Sequence, residues 1–279
     1  MFNVLITGCS GGIGYHVAKG LKERGHKIYA TARKIEDVER LRDEGFRSLQ
    51  LDISHSESIH DAINEMQLLT GNNIYAVFHN AAYGQMGAVE DISRAVLEAQ
   101  FATNFFGWHE LNLRVLPLMR NQGYGRIIYN SSVLGYVTLP FRGAYNASKY
   151  AVEGLASTLR QELNETNIHV SLIQPGPIES HFRANALIAF KANINIQKSL
   201  YRDHYQSMIA RLEKEGAAVP FTLPPDAVLK KVIHALESPK PKLHYPVTVP
   251  AHLFAYLKRL LPARWLDKVL LSVGDRPKR

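Results

Sequence analysis

The chain has 279 residues, 46% of them hydrophobic, and its 33 Lys and Arg outnumber 25 Asp and Glu for a net charge of +8. This is the make-up of an ordinary soluble globular protein long enough to bury a sizeable core, and no apolar run reaches the roughly 18 residues of a spanning helix. One cysteine, Cys9, excludes an internal disulfide and points to a reducing, cytoplasmic setting. Met1 runs straight into Phe2-Asn3-Val4-Leu5-Ile6, so no signal peptide is expected. No basic stripe with interleaved aromatics and no nucleic-acid reader motif occurs, so nucleic acid is not an expected partner. The positive charge suits either a mildly basic surface or an anionic small molecule.

In chain order, short β-branched runs alternate with helical periodicity. Strands are expected at 4–7, 27–31, 48–52, 74–79, 126–131 and 169–174. Helices are expected at 13–24, 35–43, 56–69, 94–119, 144–163 and 225–236. In the first helix Ile13, Val17, Ala18 and Leu21 share one face. Strand and helix in strict alternation predict an α/β fold: a doubly wound, Rossmann-type parallel sheet with helices on both faces, three layers in all. After Gln174 the alternation breaks. Residues 177–224 read as a helical lid over the carboxyl edge, and 240–279 as a helical tail, all within one domain spanning 1–279.

The first strand runs into Gly8, Gly12 and Gly14, and the first helix starts inside that loop. Glycines let a pyrophosphate approach the backbone, and a helix N-terminus offers it N–H groups. The second strand ends Ala30-Thr31-Ala32-Arg33-Lys34, without the acid that would bind ribose hydroxyls. Arg33 instead fits a 2′-phosphate, with Ser10 and Lys34 as helpers, so NADP is expected over NAD. Asp52 at the third strand's end is open to two readings, an acceptor for the adenine amino group or a helix N-cap.

Tyr145 and Lys149 lie four apart on the predicted helix 144–163 and share a face. The same spacing recurs at Tyr15 and Lys19, where no strand precedes it, so position rather than spacing singles out the later pair. A lysine beside a phenol favours the phenolate, and tuning toward neutrality suits an acid or base. Ser132, at the end of the fifth predicted strand, can hold a substrate oxygen, while Ser131 should face the other way.

On these residues the chain resembles the short-chain dehydrogenase/reductase family over residues 3–237. Thr7-Gly8-x-x-x-Gly12-x-Gly14 matches the glycine spacing of its shorter branch, and Ser132, Tyr145 and Lys149 match its triad. The resemblance implies that Tyr145 passes the proton and that Lys149 also holds the nicotinamide ribose. It implies that Asn104, in Thr103-Asn104-Phe105-Phe106-Gly107, holds a water leading to the lysine. It brings Ile13, Ile53, Asn80, Ala81, Pro175, Gly176 and Ile178 to the cofactor, with Ser180 where a threonine is usual. One departure is His79-Asn80-Ala81-Ala82 in place of Asn-Asn-Ala-Gly. His79 is expected to support the sheet. The wider pattern is similar to a bacterial NADP-dependent aldehyde reductase group akin to retinol and 17β-hydroxysteroid dehydrogenases.

The expected reaction interconverts an apolar aldehyde or ketone and its alcohol. Expected pocket walls are Tyr83, Leu134, Tyr136, Phe141, Ile178, Phe182 and Phe190, beside Ser132. Alternatives are a non-catalytic NADP-binding regulator on the same fold, or physiological oxidation of a retinol-like or steroid-like alcohol. No His pair has zinc-ligand spacing, and no metal is expected. Cys9 reads as a small packing residue for want of an activating base. The tail mixes apolar residues with Lys258, Arg259, Arg264 and Lys268, and three roles stay open for it: a membrane surface, a cover on the site, or a homo-oligomer interface.

Overall fold

The computed structural model of the chain describes residues 1–214, 216 and 219–274. Its strands are β1 (Asn3–Ile6), β2 (Lys27–Ala32), β3 (Arg47–Gln50), β4 (Ala76–His79), β5 (Gly125–Asn130), β6 (Ile168–Gln174) and β7 (His244–Pro246). They form one parallel sheet in the order β3-β2-β1-β4-β5-β6-β7.

Alternation along each strand builds two cores. Val4, Ile6, Ile28, Ala30, Phe78 and Ile128 face α1 (Gly12–Glu23), α2 (Ile35–Asp43) and α9 (Asp226–Glu237). Leu5, Tyr29, Val77, Ile127 and Tyr129 face α3 (Ser56–Thr70), α5 (Gly107–Gln122) and α6 (Gly143–Glu162). Both faces are therefore apolar, as a parallel sheet covered on two sides requires. The chain order reverses between β1 and β4, and this opens a crevice at the strands' carboxyl ends.

Three expectations change. The helix read over 94–119 is α4 (Arg94–Phe101), a π-helical turn (Ala102–Phe106) and α5. The tail is not wholly helical, because β7 joins the sheet through Leu172↔His244 and Ile173↔Tyr245 pairing. Its three residues end in a proline and carry no alternation that periodicity could detect. Asp52 is not an N-cap of α3, which starts after His55. Its carboxylate accepts instead from the Ser54 N–H (3.0 Å) and hydroxyl (2.6 Å).

In the lid region, α7 (Phe182–Asn193) and α8 (Arg202–Glu213) enclose a core of their own, with Phe190, Tyr205 and Met208 against Met86 and Phe141. Residues 215, 217 and 218 of the expected lid, and 275–279 of the expected tail, lie outside the described residues. Further on, α10 (Val249–Leu260) and α11 (Ala263–Val273) pack Phe254 and Leu270 on Val137.

Candidate active site

The loop after β1 needs its glycines for two reasons. Gly8 (φ +74°) and Gly12 (φ +56°) adopt left-handed backbone, and a Cβ on Gly14 would land on the Gly8 carbonyl oxygen. The α1 N-terminus has no side-chain cap and no acid in its first turn, so its N–H groups lie ready for an anion. This cradle fits a dinucleotide pyrophosphate. Gly8, Ser10, Gly12, Ile13 and Gly14 stand together around it. Ser10 is exposed, and its carbonyl accepts from Arg40 Nη2 at 2.8 Å.

At the end of β2, Arg33 and Lys34 are exposed. Gln50 fixes the Arg33 carbonyl (3.0 Å); the turn itself carries no acid, and Glu36 and Asp37 follow in the first turn of α2. Asp52 lies close by. Burial works against its charge, but the Ser54 hydrogen bonds, with His55 and Arg33 nearby, hold its carboxyl below the ordinary value. Ile53 is buried in the second core, and its carbonyl abuts Gly107.

A continuous set of polar contacts joins this loop to the lysine. The Thr7 hydroxyl accepts from the N–H groups of Asn80 and Ala81, both at 2.9 Å. Asn80 Nδ2 donates to the carbonyls of Thr7 (3.0 Å) and Gly8 (3.1 Å). Asn80 Oδ1 accepts from Asn130 Nδ2 at 2.8 Å, and the Asn130 carbonyl accepts from Lys149 Nζ at 2.8 Å. Lys149 is 1% exposed, with Nζ 4.4 Å over the Trp108 ring and 5.7 Å from the Tyr145 ring centre.

Tyr145, Ser132 and Lys149 thus meet at the sheet's carboxyl edge. Tyr145 is 7% exposed, and the Phe182 ring meets it edge-on at 5.1 Å. Burial pushes its phenol up to about 12, and hydrogen bonding with Ser132 offsets part of that rise. The same burial pushes Lys149 down to about 7, against the lifting charge of Glu153. The expected tuning of the phenol toward neutrality is therefore reversed here. The apolar enclosure outweighs an ammonium that is itself disfavoured. The Ser132 side chain accepts from the Leu134 N–H at 3.1 Å and also hydrogen-bonds Tyr145.

Ser131 points away, as extended geometry requires, and donates to Glu153 at 2.5 Å. Gln174 Nε2 donates to both Glu153 oxygens at 3.0 Å. Glu153 lies one helical turn beyond Lys149 and ties the end of β5 to the end of β6. Pro175 and Gly176 follow directly. The Pro175 carbonyl accepts from Val133 N–H at 2.8 Å, and a Cβ on Gly176 would strike the Thr248 hydroxyl.

Asn104 sits in the π turn and is wholly buried. Its amide grips the Tyr83 backbone at both ends (3.1 and 2.9 Å) and reaches the Ser148 hydroxyl at 3.2 Å. What its side chain does in this structure is position Tyr83.

The expected walls divide. Phe182 meets the Tyr145 ring, Leu134 donates its N–H to Ser132, and Tyr83 is held by Asn104. Ile178 pairs with Leu223 and packs on the first core. Phe190 is 0% exposed inside the lid core. Phe141, with left-handed backbone at φ 59°, stacks on His204 at 3.9 Å. Tyr136 donates its hydroxyl proton to the Ala251 carbonyl at 2.6 Å. These last three hold the lid and tail. A sequence pattern shows that an aromatic is buried but not which of two adjoining cores takes it.

Several residues escaped the sequence reading. Asn130 is two residues before Ser132 on one strand, and Glu153 is at i+4 from Lys149; both spacings carried a usable signal. Trp108 Nε1 donates to the Ala81 carbonyl at 2.9 Å. His181 lies against Gly11 of the phosphate loop, and nothing in its neighbourhood in sequence marks that long-range contact. His79 is buried between Trp108 and Tyr129, donates from Nε2 to Asn112 Oδ1 (2.8 Å), and burial pushes it down to about 4, which suits a structural role. Cys9 is buried and pushed up to about 12, a packing residue as expected.

A family model described as short chain dehydrogenase matches residues 3–188. The uncharacterized oxidoreductase YbbO of Escherichia coli is 45% identical over 268 residues, covering 96% of this chain and 93% of that protein. An NADPH-dependent 3-dehydrocapnine reductase of Ornithobacterium rhinotracheale is 29% identical over 274 residues, 95% of this chain and 94% of that one. Among solved structures, a short chain dehydrogenase/reductase from Burkholderia phymatum in complex with NAD superposes with TM-score 0.78 at 22% identity, covering 100% of this chain and 96% of that chain.

Proposed function

The chain belongs to the short-chain dehydrogenase family, oxidoreductases acting on alcohol or carbonyl groups, and on that premise we propose that it reduces apolar aldehydes and ketones with NADPH. The observation that carries the cofactor reading is the end of β2: Arg33 and Lys34 are exposed there and no carboxylate occupies the turn. The relative that is an NADPH-dependent reductase supports the same choice.

The dinucleotide would be held by the glycine loop (Gly8, Ser10, Gly12, Ile13, Gly14), by Arg33 at the 2′-phosphate, and by Asp52 and Ile53 at the adenine. Asn80, Ala81, Tyr145, Lys149, Pro175, Gly176 and Ile178 would hold its other half. When bound, the nicotinamide supplies hydride to the carbonyl carbon.

The protein's own groups handle the oxygen. A phenol held up at about 12 keeps its proton at neutral pH, so Tyr145 meets a carbonyl oxygen with a proton to give. Ser132, hydrogen-bonded to Tyr145 here, can turn its hydroxyl proton to that oxygen as a second hydrogen bond. Lys149, anchored on Asn130, holds the ribose side, and Asn104 fixes Tyr83 beside the pocket. Phe182, Tyr83 and Leu134 make the approach apolar, which favours apolar carbonyl compounds over polyols.

Steady-state KM values for NADPH and NADH, measured with a panel of aldehydes, test the reading. NADPH should be preferred, and Arg33→Asp should reverse the preference by about tenfold or more, as loss of a charge-assisted phosphate contact implies. Wild-type preference for NADH, or an unchanged ratio in the variant, would overturn it.

A further inference from the structure

Helix α10 carries Val249, Leu253, Tyr256 and Leu260 at i, i+4, i+7 and i+11, which places them on one face. All four are exposed, at 59%, 50%, 64% and 76%. The helix is nevertheless firmly seated. Thr248 caps its N-terminus, Tyr136 binds the Ala251 carbonyl, and Ala251 and Phe254 are buried beneath it. Its apolar arc is therefore wider than the body covers. On α11, Leu270 turns inward while Trp265, Leu271 and Val273 are exposed at 63%, 37% and 60%.

The charge around this surface has one sign. Arg259, Arg264 and Lys268 are exposed on the two helices, Lys258 turns to the body with its ammonium 5.0 Å over the Tyr150 ring, and Asp267 is the one acid among the described residues of 249–274. In the full sequence, 249–279 holds seven Lys and Arg against two Asp, so five of the chain's eight net positive charges fall there. Three of those seven cations lie beyond the described residues. Lys268 rests 5.4 Å over the Trp265 ring, which places an ammonium and an amphipathic indole side by side.

An apolar stripe rimmed by cations matches an anionic lipid surface. Apolar side chains enter the acyl boundary while lysine and arginine meet the headgroups. A second copy of this chain would bring the same positive charge against itself, which disfavours it as the occupant. No helix among the described residues is long and apolar enough to cross a bilayer. We propose that α10 and α11 dock in the plane of an anionic membrane, without crossing it.

Flotation of the full chain with phosphatidylcholine vesicles, with and without phosphatidylglycerol, tests this. Binding should be about tenfold or more stronger with phosphatidylglycerol and should weaken as salt rises. Leu253→Glu/Leu260→Glu should lose about tenfold or more of that binding. Arg264→Glu/Lys268→Glu should do the same, and because both positions are exposed it serves if the first variant does not fold. Equal binding to both vesicle types, no binding, or full binding by the charge-reversed variant would overturn the proposal. So would a dimer, seen by sedimentation equilibrium, that the Leu253→Glu/Leu260→Glu change dissolves. The readout is binding, so it stands apart from whether the enzyme reduces apolar carbonyls.

Discussion

Lys149 and Glu153 share one helix face and one enclosure, and each shapes the other's charge. Burial favours the neutral amine and brings Lys149 down to about 7, while the Glu153 charge opposes that fall. Glu153 is itself pushed up by burial and held back by Ser131, Gln174 and Lys149. Lys149 is charged below about 7 and neutral above it. If the ammonium serves capture of NADPH, kcat/KM for NADPH, which reports ionisations of the free enzyme, should fall as pH rises through about 7. Glu153→Gln removes the charge that lifts Lys149, so that limb should move to lower pH. A uniform loss at every pH with the limb unmoved would show that Glu153 only braces the strands. At this scale Tyr145, Lys149, Ser132 and the glycines were legible, because helix and strand periodicities fix their relations. The proton affinity of Tyr145 was not, since it depends on how deeply the fold buries the ring.

Between α4 and α5 the π turn carries the buried Asn104, and Gly107 follows it directly. A Cβ on Gly107 would land on the Ile53 carbonyl oxygen, a backbone atom that cannot rotate away. Gly107→Ala should therefore cost about 1–3 kcal/mol of stability, the usual range for overpacking, and urea unfolding would measure it. A midpoint equal to wild type would contradict this close approach. Periodicity showed one long helix here because the π turn preserves helical character while shifting the register behind it. β7 escaped for another reason: His244-Tyr245-Pro246 has neither the length nor the alternation of a strand. It is recruited by the edge of β6 through tertiary pairing.

Across the molecule, strict alternation from Val4 to Gln174 was enough to foresee the parallel sheet, the crevice at its carboxyl edge and the meeting of glycine loop with Tyr145. What lay beyond was how the aromatics from Tyr136 onward are shared. Phe190 and Phe141 fill a lid core, Tyr136 anchors the tail, and Phe182 alone of this group reaches Tyr145. The outcome is a buried Tyr145–Lys149 pair and a cationic, partly exposed tail. NADPH oxidation with an apolar aldehyde, by wild type and by Tyr145→Phe, tests the central claim most directly. Turnover by wild type, a loss of about a thousandfold in the variant and unchanged NADPH affinity are predicted. Substantial turnover by Tyr145→Phe would contradict the assignment of the proton to Tyr145.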